Sequence, residues 1–179
     1  VLTGGHPEYW TGPMLNALEQ YQAGDGRLMY VGGNGFWGVV SVDSCRPHVM
    51  ELRRVHTNGF IWQAPGGEYY HSTTGEPGGQ WRNRGRSPNA VSGVSCTSVG
   101  SDQAMPYRRQ PGSFDPRADF IFAGIGDEEV IGDFGLQQGG AGGDEVDRLD
   151  YAQGTPPHAL RLATASGFSD VYLYIPEDV

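Results

Sequence analysis

An imidazole, a carboxylate, a phenol and an indole stand close together in Gly4-Gly5-His6-Pro7-Glu8-Tyr9-Trp10-Thr11, near the start of the chain. His6 is a candidate for moving protons near neutral pH. Glu8 and Tyr9 offer anionic oxygen, and more of it follows in glycine-rich surroundings at Glu68, Tyr69, Tyr70 and Glu76, with His71 among them. Hard oxygen donors suit Fe(III), Mg, Ca or Mn. A phenolate suits ferric iron in particular, because the cation stabilises the deprotonated oxygen. The alternative is structural: His6 and Trp10 plug their loop onto a sheet, and His71 is a buried imidazole satisfied by backbone.

Other chemistries find little support. No GxSxG marks a serine nucleophile. His6, His48, His56, His71 and His158 make no short zinc-ligand spacing. The glycine run Gly139-Gly140-Ala141-Gly142-Gly143 lacks both the strand-GxGxxG-helix setting of a dinucleotide site and the Lys-Ser/Thr of a phosphate loop, and reads as a flexible hinge. Cys45 and Cys96 form no CxxC and are expected to be reduced and structural.

The elements that would position these groups begin with Val1-Leu2-Thr3 as the end of a buried strand. Thr11 is a fair N-cap for a helix over residues 13–23, with Pro13 in its first turn and Met14, Leu15, Leu18 and Tyr21 on one face. Residues 27–31 are then a short strand closed by Gly32-Gly33-Asn34-Gly35. Strand, helix and strand with short connections predict a parallel βαβ unit that brings His6, Glu8 and Tyr9 near Asn34.

From Trp37 the pattern alternates at period two, as half-buried antiparallel strands do, and Asn58-Gly59 predicts a hairpin turn. Residues 66–82 form a long polar loop whose aromatics argue for order. Further strands are expected at 89–96, 119–125, 159–165 and 171–175. Residues 102–111 read as turn-rich and 149–157 as a loop. Glu128-Glu129 is a solvated acidic turn, and Arg82, Arg84 and Arg86 form either a solvated basic run or a subunit contact.

A chain of 179 residues fits a single domain, residues 1–179. A formal charge of -9 argues against nucleic-acid and acidic-membrane partners. No apolar run reaches the roughly 20 residues of a spanning helix and no signal peptide opens the chain, so the cytoplasm is the default location. The 29 glycines have no collagen period and mark turns and exposed loops. A first residue already inside a strand, without an initiator Met, suggests an excerpt of something longer.

Several of these motifs occur together in one known family. Gly5-His6-Pro7-Glu8-Tyr9-Trp10, the stretch from Gly26-Arg27-Leu28 through Gly32-Gly33-Asn34-Gly35-Phe36, Tyr69-Tyr70-His71-Ser72-Thr73-Thr74-Gly75-Glu76 and Gly132-Asp133-Phe134-Gly135 fall in order. Together they resemble the C-terminal domain of the large (beta) subunit of N,N-dimethylformamidases. The resemblance implies an α/β fold with a glutamine-amidotransferase-like parallel βαβ core and antiparallel decoration. It also implies one mononuclear Fe(III) held by two tyrosines and a carboxylate. Tyr9 matches one tyrosine and Glu76 the carboxylate, and the second tyrosine is expected upstream of Val1.

The implied chemistry is hydrolysis of a small amide with Lewis-acid assistance. His6 and His71 are then candidates for proton transfer and Asn34 for orienting carbonyl or water. Asp102 falls about where the family has a polar substrate-site residue, and Thr74 stands where it has a histidine; both differences bear on the identity of the amide. The partners expected are a small amide substrate, a small subunit and further copies of the same chain. Two other classes compete: a noncatalytic carbohydrate-binding or subunit-interaction module on the same fold, and a metal-free degenerate amidotransferase-like domain.

Overall fold

A computed structural model describes residues 1–55, 63–135 and 138–174. It is a mixed α/β structure, rich in short sheets and poor in helix. The element order begins β1 (Tyr9–Trp10), α1 (Gly12–Ala23), β2 (Gly38–Val42) and β3 (Met50–Leu52). It continues through α2 (Pro88–Ser92), β4 (Ser95–Met105), β5 (Tyr107–Arg109), β6 (Val130–Ile131), β7 (Gly142–Arg148), β8 (Ala163–Ala165) and β9 (Leu173–Tyr174).

Helix α1 forms where local chemistry predicts it. The Thr11 hydroxyl accepts from the Met14 amide at 3.3 Å, proline sits in the first turn, and Gly24 ends the helix. Leu15 and Leu18 are the buried face, whereas Met14 and Tyr21 stay exposed. The two leucines pack with Phe36, Val39, Trp81 and Val91, and Trp10, Leu28 and Tyr30 lean on that cluster. Burying a side chain of this size contributes about 1.5–3 kcal/mol.

A parallel crossover is present, but through different strands from those expected. β1 pairs with β2 in parallel, Tyr9 opposite Gly38 and Trp10 opposite Val39, with α1 between them. Residues 1–3 and 27–31 also pair in parallel, but as the isolated bridge Leu2 to Met29 and not as named strands. The backbone bonds Phe36 N–H to Pro7 O (2.9 Å) and Gly38 N–H to Glu8 O (2.8 Å) draw the register downstream, away from Val1. Everything else in the sheets is antiparallel. β3 adds to β2, β4 lies between β7 and β9, and β5 lies between β6 and β8.

Five expectations need correction. Residues 88–92 are helical, because Ser87 caps the Asn89 amide, Pro88 opens the helix, and Gly93 closes it at φ 87° in the left-handed region. The strand begins later, at Ser95. Residues 119–125 turn instead of extending, with Ile121 N–H to Ala118 O, Phe122 N–H to Asp119 O and Ile125 N–H to Phe122 O. They wrap Arg109, whose guanidinium lies 4.5 Å from the Phe122 ring and bonds the Ile125 carbonyl and Asp127, leaving Phe120 exposed.

The supposed hinge leads straight into β7, and the supposed turn region 102–111 holds the end of β4 and all of β5. Arg84 and Arg86 are not a solvated run: their guanidinium carbons sit 5.2 and 4.9 Å from the buried Trp81 ring. Asn58-Gly59 lies outside the described residues. Among those residues no helix is long and apolar enough to cross a membrane.

Candidate functional site

Three separate segments converge on one group of carboxylates. His6 and Glu8 come from the approach to β1, Asn34 from the loop 32–36, and Glu145 and Asp147 from β7. Alternation along β7 sends Glu145 and Asp147 to the same face. Asn34 takes a left-handed backbone at φ 54°, which asparagine tolerates better than most residues. Phe36 does so at φ 58° and is held there by full burial against Trp10 and Tyr30, with ring centroids 5.0 and 5.6 Å apart.

That backbone aims both ends of Asn34 at β7. Its amide N–H donates to Asp147 Oδ1 at 3.1 Å and its side-chain Nδ2 to Glu145 Oε1 at 3.2 Å. The Tyr30 hydroxyl donates to Asp147 Oδ2 at 2.7 Å and accepts from the Gly35 amide at 2.8 Å. His6 Nδ1 lies 3.5 Å from Glu8 Oε1 and 3.3 Å from Glu145 Oε2. The atoms that His6, Glu8 and Glu145 could offer a metal all lie within 4.8 Å of one another. His6 and Glu145 open onto a cleft of about 970 Å³ whose walls also include Gly33, Asp147 and Arg161.

The electrostatics follow from this crowding. Burial raises the pKa of Glu8, and Glu145 raises it further, against the pull of His6 and Arg54. Burial likewise raises Asp147 despite the bonds from Tyr30 and Asn34. The Cys96 thiol, buried near Asp147 and Glu145, is pushed up to about 12 and stays a structural thiol.

The remaining candidates sit elsewhere in the network. Tyr9 accepts a 2.7 Å bond from Arg54 Nη2, and its ring meets Trp37 edge-on at 6.3 Å. Gly38 makes room for that ring, since a Cβ there would come within 2.7 Å of it. Glu76 accepts from Arg84 at 2.9 Å and from the Thr74 hydroxyl at 3.2 Å. Between described residues, no hydrogen bond or ion pair joins Tyr9 to Glu76.

His71 opens the tight turn that Glu76 closes, with His71 N–H to Glu76 O and Gly75 N–H to His71 O both at 2.8 Å. It is 1% exposed, and no described residue pairs with either ring nitrogen. Burial lowers its pKa, with Glu76 and Glu51 opposing, so the imidazole is neutral at physiological pH. Asp102 lies exposed on β4 and accepts from the Ser169 hydroxyl at 2.6 Å. Tyr9 and Glu76 each offer a hard oxygen, the donor type that suits ferric iron, and His71 a buried imidazole that no described residue bonds.

The crossover predicted from the sequence groups His6, Glu8 and Tyr9 near Asn34; His6 and Asn34 each contact Glu145, whereas Tyr9 bonds Arg54. Glu145, Asp147, Arg54 and Tyr30 were not legible in the sequence. The usable signal for the first two was the period-two spacing of Glu145 and Asp147 just after a glycine run.

The profile of the family "N,N-dimethylformamidase beta subunit-like, C-terminal" matches residues 1–175. The N,N-dimethylformamidase beta subunits of Paracoccus aminophilus and of an Alcaligenes species are each 46% identical to this chain over 178 residues. Those alignments take in 99% of this chain but 23% of each relative, so the chain spans about a quarter of the length of the proteins it matches.

Proposed function

Because the chain belongs to the N,N-dimethylformamidase beta subunit-like, C-terminal family, we propose that it is part of an enzyme that hydrolyses a small N-substituted amide. The observation that carries this reading is the buried, unpaired imidazole of His71 beside the Glu76 carboxylate, in a chain 46% identical to formamidase subunits along nearly its whole length. The β1–α1–β2 crossover is then the portion of a glutamine-amidotransferase-like core that this chain contributes.

In this reading Tyr9 and Glu76 hold a mononuclear Fe(III), with a second tyrosine from the longer protein. Bound there, ferric iron supplies a Lewis acid that makes an amide carbonyl more electrophilic and nearby water more acidic. Arg54 fixes the Tyr9 oxygen, and Arg84 and Thr74 fix the Glu76 carboxylate, so that neither has to reorganise during the reaction. Neutral His71 takes the proton from the attacking water and returns it to the departing amine. Its burial keeps bulk water from competing for that proton. The beta-subunit designation of the relatives supports assembly with a second kind of subunit.

The full-length protein, purified with its iron, is expected to show visible tyrosinate-to-Fe(III) absorption and to release amine from dimethylformamide or a close analogue. Tyr9→Phe and Glu76→Gln should lose the iron and the activity together. Colourless, iron-free wild-type protein overturns the reading in favour of a noncatalytic module, and colour that survives Tyr9→Phe removes Tyr9 from the iron site.

A further inference from the structure

We propose that His6, Glu8 and Glu145 form a binding site for a divalent first-row transition-metal ion, additional to the Tyr9–Glu76 oxygen pair and independent of it. Glu8 and Tyr9 are adjacent in sequence but serve different neighbours: Glu8 meets His6 while Tyr9 meets Arg54.

The spacing is that of a ligand shell. Metal–nitrogen and metal–oxygen bonds of about 2.1 Å place neighbouring donor atoms about 3.0 Å apart in octahedral and about 3.4 Å apart in tetrahedral geometry. His6 Nδ1 stands 3.5 Å from Glu8 Oε1 and 3.3 Å from Glu145 Oε2. Both separations lie close to those values, and the third, between the two carboxylates, is within 4.8 Å.

The oxygens of the cluster itself add a second observation. Glu145 Oε2 and Asn34 Oδ1 are both fully buried oxygens, and no described residue donates a hydrogen bond to either. The 3.3 Å approach of His6 Nδ1 to Glu145 Oε2 is not an aligned hydrogen bond. Buried acceptors in folded proteins normally have a partner, and a positive ion provides one where no N–H or O–H does.

The outer contacts are already built. Asn34 Nδ2 fixes Glu145 through Oε1, leaving Oε2 turned to His6. Asp147 in turn fixes the Asn34 backbone, and Tyr30 fixes Asp147. Partners of this kind set the orientation of metal-binding carboxylates.

The His6 side chain is 67% exposed and the cluster borders the 970 Å³ cleft, so an ion has an entry path and three protein ligands leave positions open to solvent or a small anionic ligand. One imidazole and two carboxylates without thiolate select against Cu(I) and suit Mn(II), Fe(II), Co(II) or Zn(II), with Zn(II) bound more tightly than Mn(II).

The test uses full-length protein, Mn(II) as the probe followed by its paramagnetic resonance, and Zn(II) as competitor. Wild type is expected to take up one Mn(II) per chain at this site, displaceable by Zn(II). Asn34→Ala should weaken Mn(II) binding by about 10- to 100-fold, and His6→Ala and Glu145→Gln should abolish this uptake, while Tyr9→Phe retains it. His6 is exposed enough that its replacement leaves the fold intact, so it decides the matter if Glu145→Gln misfolds. Unchanged Mn(II) affinity in His6→Ala, no Mn(II) uptake by wild type, or loss in Tyr9→Phe with retention in His6→Ala overturns the proposal. Retention in Tyr9→Phe alongside loss of the tyrosinate colour separates this site from the iron reading, whichever of the two fails.

Discussion

At the scale of single residues, Tyr30 carries more than its position in a short apolar run suggested. Its hydroxyl is donor to Asp147 and acceptor from Gly35 at once, so Tyr30→Phe strands a buried carboxylate oxygen and a backbone amide together. The expected cost is about 1–3 kcal/mol, read as a lower denaturant midpoint at unchanged slope. A loss below about 0.5 kcal/mol, the level of an ordinary surface change, would show that water replaces the hydroxyl freely.

Hydrogen exchange offers a second reading of the same contacts. The Asn34 and Gly35 amides bond side chains, not a neighbouring strand, yet should be protected in the intact protein and exposed in Tyr30→Phe, with α1 unaffected. Equal exchange in both proteins would mean that the loop is held by something else.

Among elements, β3 shows how a short strand recruits a loop. Glu51 on β3 accepts from the Ser72 amide and hydroxyl, the Thr73 amide and Arg53, which stitches the turn holding His71 and Glu76 onto the sheet. Burial alone would raise the Glu51 pKa, but these donors outweigh it and bring the value down to about 2 from the ordinary 4.5. A carboxyl depressed in this way stabilises the fold fully above pH 4.5 and loses that contribution as the pH falls toward 2. Glu51→Gln should therefore flatten the acid limb of the stability curve in that window. An unaltered limb would show that the stitch is as strong with a neutral side chain.

Elements also separate what was legible from what was not. Helix α1 could be read because Thr11, Pro13 and Gly24 act within a few residues of their own backbone. The same signals were present around α2, where Ser87-Pro88 and Gly93 bracket one short turn of helix, but the apolar residues after them resembled a strand. Residues 119–125 misled for another reason: an apolar run was read as self-sufficient, whereas a buried arginine from β5 decides its shape.

For the molecule as a whole, the described residues form three small, mostly antiparallel sheets where a parallel βαβ core with antiparallel decoration was expected. The bonds of Tyr30 to Asp147 and of Asn34 to Glu145 tie the segment between α1 and β2 to β7 of the second sheet. A motif reading named His6, Glu8 and Asn34, which lie close in sequence, but the link between His6 and Asn34 runs through Glu145. It could not find Glu145, since nothing near that residue in sequence announces a partner more than a hundred positions earlier.

That distance has a consequence during synthesis. The Tyr30–Asp147 contact spans 117 positions, and a ribosome adding about 5–20 residues per second needs roughly 6–23 s to cover them. Throughout that interval the nascent loop carries an aromatic hydroxyl and an asparagine poised for acids not yet translated. Emergence of β7 from the exit tunnel is the moment at which the two halves of the cluster can first close.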